Sequence, residues 1–197
     1  MLLAALAAEG APAAAPAYEL EPGGSSLKFL AVQQGAKFES HFDTFTARVQ
    51  FDPATPETGR ILARITLASV DTGNPERDEI LKTADWFGVG QWPEATFVAN
   101  RIVRVTDGYS ASGTLALRGV SRPVTLRFHW TPATNGKPAR LNGGASVERL
   151  AFGVGQGDWQ DTAYVGNAVA IQVDIRLRPI QPTVKSVTTK DAATNGR

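Results

Sequence analysis

The sequence is poor in the residues on which reactive chemistry depends. Its 197 residues include no cysteine and only two histidines, His41 and His129. The lack of cysteine excludes disulfides, thiolate metal sites and cysteine nucleophiles. Lysine and arginine number 20 against 19 aspartates and glutamates, which argues against a nucleic-acid partner recruited by bulk charge. No apolar run reaches the length of about 18 residues that is typical of a membrane span.

The composition otherwise fits a single folded domain with two unlike ends. Hydrophobic residues make up 43% and charged residues 20% of the chain, which excludes global disorder. Residues 1–17 are rich in alanine, leucine and proline, and we interpret them as a signal-like or disordered segment that lacks the usual basic start. Residues 181–197 are polar and aperiodic, which predicts a disordered tail. The folded domain should therefore cover residues 18–180.

Apolar and polar residues alternate with a period of two along most of this domain. The pattern is typical of strands with one buried face. The clearest runs cover residues 61–67, 109–117, 124–130 and 169–177, and weaker ones cover 26–33, 36–51, 95–106 and 139–149. The alternation in 36–51 changes phase once, which we interpret as a β-bulge. Tight turns such as Asp107-Gly108 predict that neighbouring strands are antiparallel.

One connection, residues 71–94, is too long for a hairpin turn. Pro75 begins a stretch suited to a short helix, with Glu76 and Asp78 near the positive end of the helix dipole. The whole pattern therefore predicts an all-β fold of eight antiparallel strands with one short helix. Eight such strands close naturally into a barrel that can hold one slender ligand, and an open sandwich is the structural alternative.

The apolar phase of each strand predicts which side chains face the interior. Such an interior suits a long hydrocarbon chain, because each buried CH₂ group contributes about 0.8 kcal/mol. The same side chains could equally fill the barrel, and alternation alone does not separate the two interpretations. The candidate lining residues are Phe42, Phe45, Val49, Ile65, Leu67, Leu115, Leu117, Leu126, Phe128, Ile171 and Val173.

An ordered series of short motifs runs through the domain. The first group comprises Asp71-Thr72-Gly73, Arg77-Asp78, Leu81, Asp85-Trp86-Phe87 and Pro93-Glu94-Ala95-Thr96-Phe97. The second group comprises Tyr109, Gly113-Thr114-Leu115, Leu117-Arg118-Gly119-Val120, Pro123-Val124, Arg149 and Phe152-Gly153-Val154. Taken in this order, the motifs resemble the signature of the YceI-like polyisoprenoid-binding family. The similarity extends from about Tyr18 to Leu177.

The resemblance implies a fold, a location and a ligand class. Members of the family are extended lipocalin-like barrels, usually periplasmic. They are associated with isoprenoid lipids, including isoprenoid quinones, or with other long-chain amphiphiles. A periplasmic location agrees with the signal-like segment, which would then be truncated. The resemblance also allows a homodimer, and it leaves the head group and the chain length of the ligand open.

The connection 71–94 should lie at one mouth of the barrel. Arg77 and Asp78 are adjacent in sequence and so form no direct helical ion pair, and we expect each to anchor the connection to the barrel by hydrogen bonds. The large apolar side chains of this connection either gate ligand entry or plug the barrel end. They are Leu81, Trp86, Phe87 and Trp92.

Motifs for catalysis and cofactor binding are weak. The glycine-rich stretch 153–157 lacks the following helix of a dinucleotide loop, and no Gly-x-Ser-x-Gly sequence is present. His41 and His129 fall on the polar phase of their strands, which predicts solvent exposure and no metal site. We therefore expect no enzymatic activity, and no cofactor apart from a bound lipid or quinone as ligand.

Two functional hypotheses from different classes follow. The first is a periplasmic, non-enzymatic binding or carrier protein that holds an isoprenoid lipid or isoprenoid quinone in the barrel. The second is a protein-interaction module with a side-chain-filled barrel, whose partner would be a membrane redox protein. An enzyme acting on a lipid would need an acid, a base or a nucleophile facing inward, and the predicted inward positions offer almost none.

Overall fold

The regular elements lie between the two ends of the chain. The computed structural model describes residues 15–21, 23–134 and 136–180. The helix α1 is Pro75–Lys82. The strands are β1 (Ala17–Leu20), β2 (Ser26–Gln33), β3 (Ala36–Phe42), β4 (Phe45–Gln50), β5 (Arg60–Thr66), β6 (Val70–Asp71), β7 (Glu94–Val105), β8 (Gly108–Leu117), β9 (Val120–Thr131), β10 (Ala139–Glu148) and β11 (Ala168–Pro179). The predicted signal-like segment, apart from residues 15–17, and the predicted tail lie outside the described residues.

Eight of the strands close into an antiparallel barrel. The hydrogen-bonded order is β1-β4-β5-β7-β8-β9-β10-β11, and β11 pairs again with β1 to complete the ring. Strands β2, β3 and β6 continue the sheet from the first half of β11. The prediction of an eight-stranded antiparallel barrel with a short helix in the 71–94 connection is confirmed. Within the described ranges, no helix is long and apolar enough to cross a bilayer.

The prediction of one bulged strand over residues 36–51 is wrong, because two strands occupy this range. Strand β3 pairs with β2 and β6, whereas β4 pairs with β1 and β5. The break falls at Asp43 and Thr44, whose backbone N–H groups donate to the carbonyl and hydroxyl of Ser69, each at 3.0 Å. The change of phase therefore marks the end of a strand. A register shift is present instead in β7, between Ala99 and Arg101.

Two short elements also depart from the predicted pattern. Strand β1 has four residues, which are too few for a period of two to be recognised. Leu67, expected at the end of a strand, lies in a short 3-10 turn after β5. Its side chain is nevertheless buried, so the predicted inward orientation holds.

One end of the barrel is filled by aromatic side chains, and we call it the packed end. Phe51 is fully buried there, and its ring lies 4.8–5.6 Å from the rings of Tyr109, Phe128 and Trp130. Tyr18 on β1 adds an edge contact with Trp130 at 5.1 Å. Edge-to-face contacts of this kind stabilise a core beyond the apolar area that they bury. The packed end therefore closes the barrel from one side.

The opposite end is covered by residues 72–93 and 149–167, which together we call the cap. Helix α1 begins as its sequence predicts, because the Asn74 side chain accepts a hydrogen bond from the Arg77 N–H at 3.1 Å and Pro75 lies in the first turn. After the helix the chain returns over the barrel. Side chains from the cap then share a core with β2, and they include Leu81, Trp86, Phe87 and Phe152 beside Phe29.

Candidate ligand-binding cavity

A cavity of about 240 Å³ lies inside the barrel, between the packed end and the cap. Five small side chains on its wall leave space that larger residues would fill, namely Ala31, Ala47, Ala63, Ala95 and Ala145. Ala47 and Ala63 are direct cross-strand partners on β4 and β5, and Ala63 is paired with Phe97 on β7. The barrel is hollow in this half because small residues lie side by side at inward positions.

Most of the predicted lining residues lie on the cavity wall. They are Phe42, Phe45, Ile65, Leu67, Leu115, Leu117, Leu126, Ile171 and Val173. Val49 and Phe128 are buried in the packed end and do not line the cavity, which corrects their assignment. Alternation identifies inward-facing residues, but it carries no information on which half of the interior is filled. Contact between the lining residues and a ligand stays a prediction.

The cap supplies one side of the wall. Four of the six residues predicted at the barrel mouth line the cavity, namely Arg77, Leu81, Trp86 and Phe87. Asp78 and Trp92 lie off the wall. The Trp92 ring instead has the guanidinium of Arg118 at 5.1 Å from its centre, which ties it to the turn between β8 and β9.

Arg77 and Asp78 hold α1 by contacts other than those expected. The Asp78 carboxylate accepts a hydrogen bond from the Thr72 N–H at 2.8 Å, which stays within the cap. The Arg77 guanidinium lies 4.5 Å from the centre of the Phe38 ring on β3, a cation–π contact. The prediction that both residues anchor the connection to the barrel by hydrogen bonds is therefore wrong. Of the two, Arg77 reaches a strand outside the cap, the β3 strand of the sheet extension, and it does so through an aromatic ring.

Hydrogen bonds fasten the two segments of the cap to each other and to the barrel. The Asp85 carbonyl accepts from the N–H groups of Gly155 and Gln156, both at 2.8 Å. Arg118 donates from Nη2 to the Ala84 carbonyl at 2.5 Å. The cap is therefore closed in this structure, and a ligand that enters at this end must open these contacts.

A buried arginine organises the second segment of the cap. Arg149 follows β10, is 4% exposed and lines the cavity. Its guanidinium donates at 2.6–3.3 Å to the backbone carbonyls of Val154, Gly155, Trp159, Val165 and Gly166. Burial lowers the pKa of this guanidinium from its ordinary value, yet an arginine in a protein stays protonated. Five carbonyls thus share one buried cation, which fixes the path of the segment.

Sequence reasoning missed part of the wall. Strand β2 contributes Leu27, Phe29 and Ala31, whose spacing of two is visible in the sequence. Arg149 and Trp159 belong to an irregular segment, where no periodicity marks the inward face. The available signal is the pair Gly153 and Gly155, which adopt φ of 69° and 80°. Such positive φ values favour glycine, and they allow the chain to turn around the guanidinium.

One surface cluster outside the cavity combines groups that can ligate a metal. His41, Asp43 and Asp71 each place one ligand atom within 4.8 Å of the others. The His41 Nε2 atom lies 3.0 Å from an Asp43 oxygen and 3.6 Å from an Asp71 oxygen. His41 and His129 are both exposed, as the polar phase predicts. Exposed charged groups at these distances also form ordinary ion pairs, which contribute little to stability.

A larger groove of about 690 Å³ lies on the outer face of the barrel and is open to solvent. Two of its charged groups already have partners, because Lys28 pairs with Glu39 at 2.7 Å and Asp174 accepts from Arg140 Nε at 2.6 Å. The hydrogen bond from Arg140 holds the pKa of the Asp174 carboxyl below its ordinary value. The enclosed interior is therefore the stronger candidate for a ligand site.

Curated relatives resemble the chain over part of their length. It is 35% identical over 94 residues to a UPF0312 protein of Yersinia enterocolitica, which covers 48% of this chain and 49% of that protein. A UPF0312 protein of Yersinia pestis is 36% identical over 94 residues, with the same coverage. The chain thus spans about half the length of the curated relatives that it matches.

Two solved structures share the barrel over nearly their whole length. BcnA of Burkholderia cenocepacia has a TM-score of 0.75 and 30% identity, and the match covers 81% of this chain and 99% of that chain. A polyisoprenoid binding domain from Saccharophagus degradans has a TM-score of 0.64 and 16% identity, over 84% of this chain and 99% of that chain. At that identity, the second similarity shows the fold alone.

The family assignment depends on the whole barrel. The YceI-like domain family matches residues 18–177, which run from β1 into β11. This range includes both segments of the cap and all residues of the cavity wall. The chain therefore belongs to the YceI-like domain family.

Proposed function

We propose that this protein is a periplasmic, non-enzymatic binding or carrier protein that holds the apolar chain of an isoprenoid lipid or isoprenoid quinone. The observation that carries the proposal is the cavity between the packed end and the cap, whose wall is almost wholly apolar. A barrel of the same fold from Saccharophagus degradans is described as a polyisoprenoid binding domain, which supports this ligand class. The signal-like composition of residues 1–17 supports export to the periplasm.

The chemistry of the wall supports binding without catalysis. Among the described residues, no aspartate, glutamate, histidine, serine, threonine or tyrosine lines the cavity. General acid–base catalysis and nucleophilic catalysis need a group of this kind or a lysine amine within reach of the substrate. The lysine on the wall, Lys28, is paired with Glu39 at 2.7 Å. A hydrocarbon chain needs none of them, because burial of about ten CH₂ groups already supplies about 8 kcal/mol of gross stabilisation.

The size of the cavity supports a short buried stretch of chain in the closed state. Its 240 Å³ lies just below the range of roughly 300–1,000 Å³ that is typical of ligand pockets. A longer chain would enlarge it by displacing the cap, which must then leave the core that it shares with β2 and break its hydrogen bonds. The alternative hypothesis of an interaction module requires a side-chain-filled interior, and such filling is confined to the packed end.

The decisive experiment is mass spectrometry of an organic extract of the protein, purified from the periplasm of a host that makes isoprenoid quinones. We expect a prenyl lipid at close to one molecule per chain. Ala63→Phe, which fills the cavity, should lose it, whereas Ala170→Phe on the exposed outer face of β11 should retain it. An extract without prenyl lipid, combined with no thermal stabilisation by added prenyl lipid, would refute the proposal.

A further inference from the structure

Three side chains that can ligate a metal converge outside the cavity, where β3 meets β6. His41 and Asp71 are direct cross-strand partners on these strands, and Asp43 lies two residues beyond His41. The backbone N–H of Asp43 donates to the Ser69 carbonyl at 3.0 Å, which holds the end of β3 against the residue that precedes β6. The three side chains therefore start from a paired part of the sheet, although Asp71 is distant from His41 in sequence.

The spacing of the ligand atoms fits a divalent cation of the zinc type. Nitrogen and oxygen ligands lie about 2.0–2.2 Å from Zn²⁺, so the corners of a tetrahedral site are about 3.3–3.6 Å apart. His41 Nε2 lies 3.0 Å from Asp43 Oδ1 and 3.6 Å from Asp71 Oδ2. Each of the three side chains places one ligand atom within 4.8 Å of the others. Asp43 is exposed, so its carboxylate has room to turn toward a shared ion.

The charges at this position also favour a cation. Two carboxylates meet one imidazole, so the cluster is negative in either protonation state of the imidazole. An ordinary ion pair satisfies one of them, because the His41 Nε2–H can donate to Asp43 at 3.0 Å but not to Asp71 at 3.6 Å. Within the ranges that the structure describes, neither carboxylate pairs with a lysine or an arginine. Lys28, the neighbour of His41 on β2, pairs with Glu39 at 2.7 Å instead.

The Asp71 carboxylate is oriented toward the imidazole by the chain that follows it. Its Oδ1 atom accepts a hydrogen bond from the Gly73 N–H at 2.6 Å, which leaves Oδ2 on the side of His41. Hydrogen bonds of this kind orient the carboxylates that ligate metals. Gly73 belongs to the cap, so an ion bound to Asp71 would hold the point at which the cap leaves the sheet.

We propose that His41, Asp43 and Asp71 bind one Zn²⁺ ion through one imidazole nitrogen and two carboxylate oxygens. The remaining position of a tetrahedral ion is left to water. The imidazole selects zinc over magnesium and calcium, which prefer oxygen ligands alone. The prediction of no metal site came from the polar phase of β3, and Asp71 reaches His41 only through the pairing of β3 with β6. The site lies outside the cavity and does not depend on the proposed function.

The test is calorimetric titration of the protein, without an affinity tag, with ZnCl₂. Wild type should bind one equivalent of zinc with micromolar affinity. His41→Ala removes an exposed ligand and should weaken binding at least about tenfold. Asp71→Asn should do the same, although it keeps a side-chain oxygen for the Gly73 N–H. The matched control is His129→Ala, because His129 faces a single carboxylate, that of Asp107, at 3.8 Å, and this variant should bind zinc as wild type does.

A second readout uses wild type and so does not depend on the stability of the variants. The sequence has two histidines, so a long-range ¹H–¹⁵N spectrum contains two imidazole spin systems, which the two alanine variants assign. Zinc should shift the Nε2 signal of His41 and leave that of His129 in place. The proposal is overturned if zinc binds only at millimolar concentration, if both alanine variants weaken binding equally, or if the His41 signal stays. The carrier function stands in each of these cases, because the site is separate from the cavity.

Discussion

Filling the hollow half of the barrel should stabilise the protein, and the substitution Ala63→Leu tests this prediction. A void of 240 Å³ in an interior costs about 6 kcal/mol at about 24 cal/mol per Å³, relative to a filled core. Ala63 lies on the cavity wall, opposite Ala47 and beside Phe97. A leucine at this position would project into free space and recover part of that cost.

The expected gain in the free energy of unfolding follows from the carbon atoms that Ala63→Leu adds. Leucine has three more carbon atoms than alanine, whose burial contributes about 2.4 kcal/mol at about 0.8 kcal/mol each. The loss of side-chain freedom offsets about 0.5–1 kcal/mol of this. The free energy of unfolding should therefore rise by about 1.5 kcal/mol, which raises the melting temperature by about 3–6 °C for a domain of this size. Affinity for a prenyl ligand should fall at least about tenfold, because the added carbons occupy its space.

The matched control is Ala111→Leu, which makes the same change in the packed end. Ala111 is fully buried between Ile102 and Leu126 on neighbouring strands, so the extra atoms have no space there. Overpacking of this kind costs about 1–3 kcal/mol, and the melting temperature should fall. Calorimetry and urea unfolding of both variants without ligand measure the difference. Equal destabilisation by the two substitutions would show that no free space adjoins Ala63.

Three further predictions concern single residues of the cap and of the barrel strands. Arg149→Met should lower the free energy of unfolding in urea by more than about 3 kcal/mol, because five buried carbonyls lose their donor. Asp174→Asn should lower the free energy of unfolding at neutral pH, because the hydrogen bond from Arg140 depresses the pKa of the Asp174 carboxyl in the folded state. The ionised carboxyl stabilises the fold above its unfolded pKa of 3.8, and this contribution is lost as the pH falls through the folded pKa, so that the substitution should have no effect below it. Urea titrations at several pH values measure the difference. Gly143→Ala should destabilise the barrel, because its Cβ would collide with the backbone of β9, whereas Gly90→Ala, with open space around it, should be neutral in the same thermal melts.

Local sequence patterns predict the barrel well because its strands are long and half buried. In β5, β8, β9 and β11 the alternation extends over most of the strand, and each inward face is as predicted. The pattern fails at Asp43 and Thr44, where a strand ends without a glycine or proline to mark it. The hydrogen bonds that end it are accepted by Ser69, which is distant in sequence. A tertiary contact of this kind leaves no local signal.

The candidate site is less predictable, since a cavity is a property of neighbours and not of single residues. Val49 and Phe45 lie on one strand and share its inward phase, yet Val49 is packed and Phe45 borders the cavity. What separates them is their position along the strand, because Val49 lies near Phe51 in the packed end and Phe45 lies in the hollow half. The alanines at positions 47, 63 and 95 become informative only when β4, β5 and β7 are known to be adjacent. The pairing of the strands must therefore be known before the hollow half of the barrel can be located.

The division into a packed end and a hollow end constrains how a carrier of this design would exchange its ligand. The aromatic contacts around Phe51 close one end, so exchange must pass through the cap. There, the bonds to the Asp85 carbonyl and the Arg77 contact with Phe38 hold the entrance shut. Apolar burial inside the barrel sets the affinity, whereas these polar contacts, together with the core that the cap shares with β2, set the rate of opening. Substitutions in the cap should therefore change the rate of ligand release far more than substitutions among the alanines, which act on affinity.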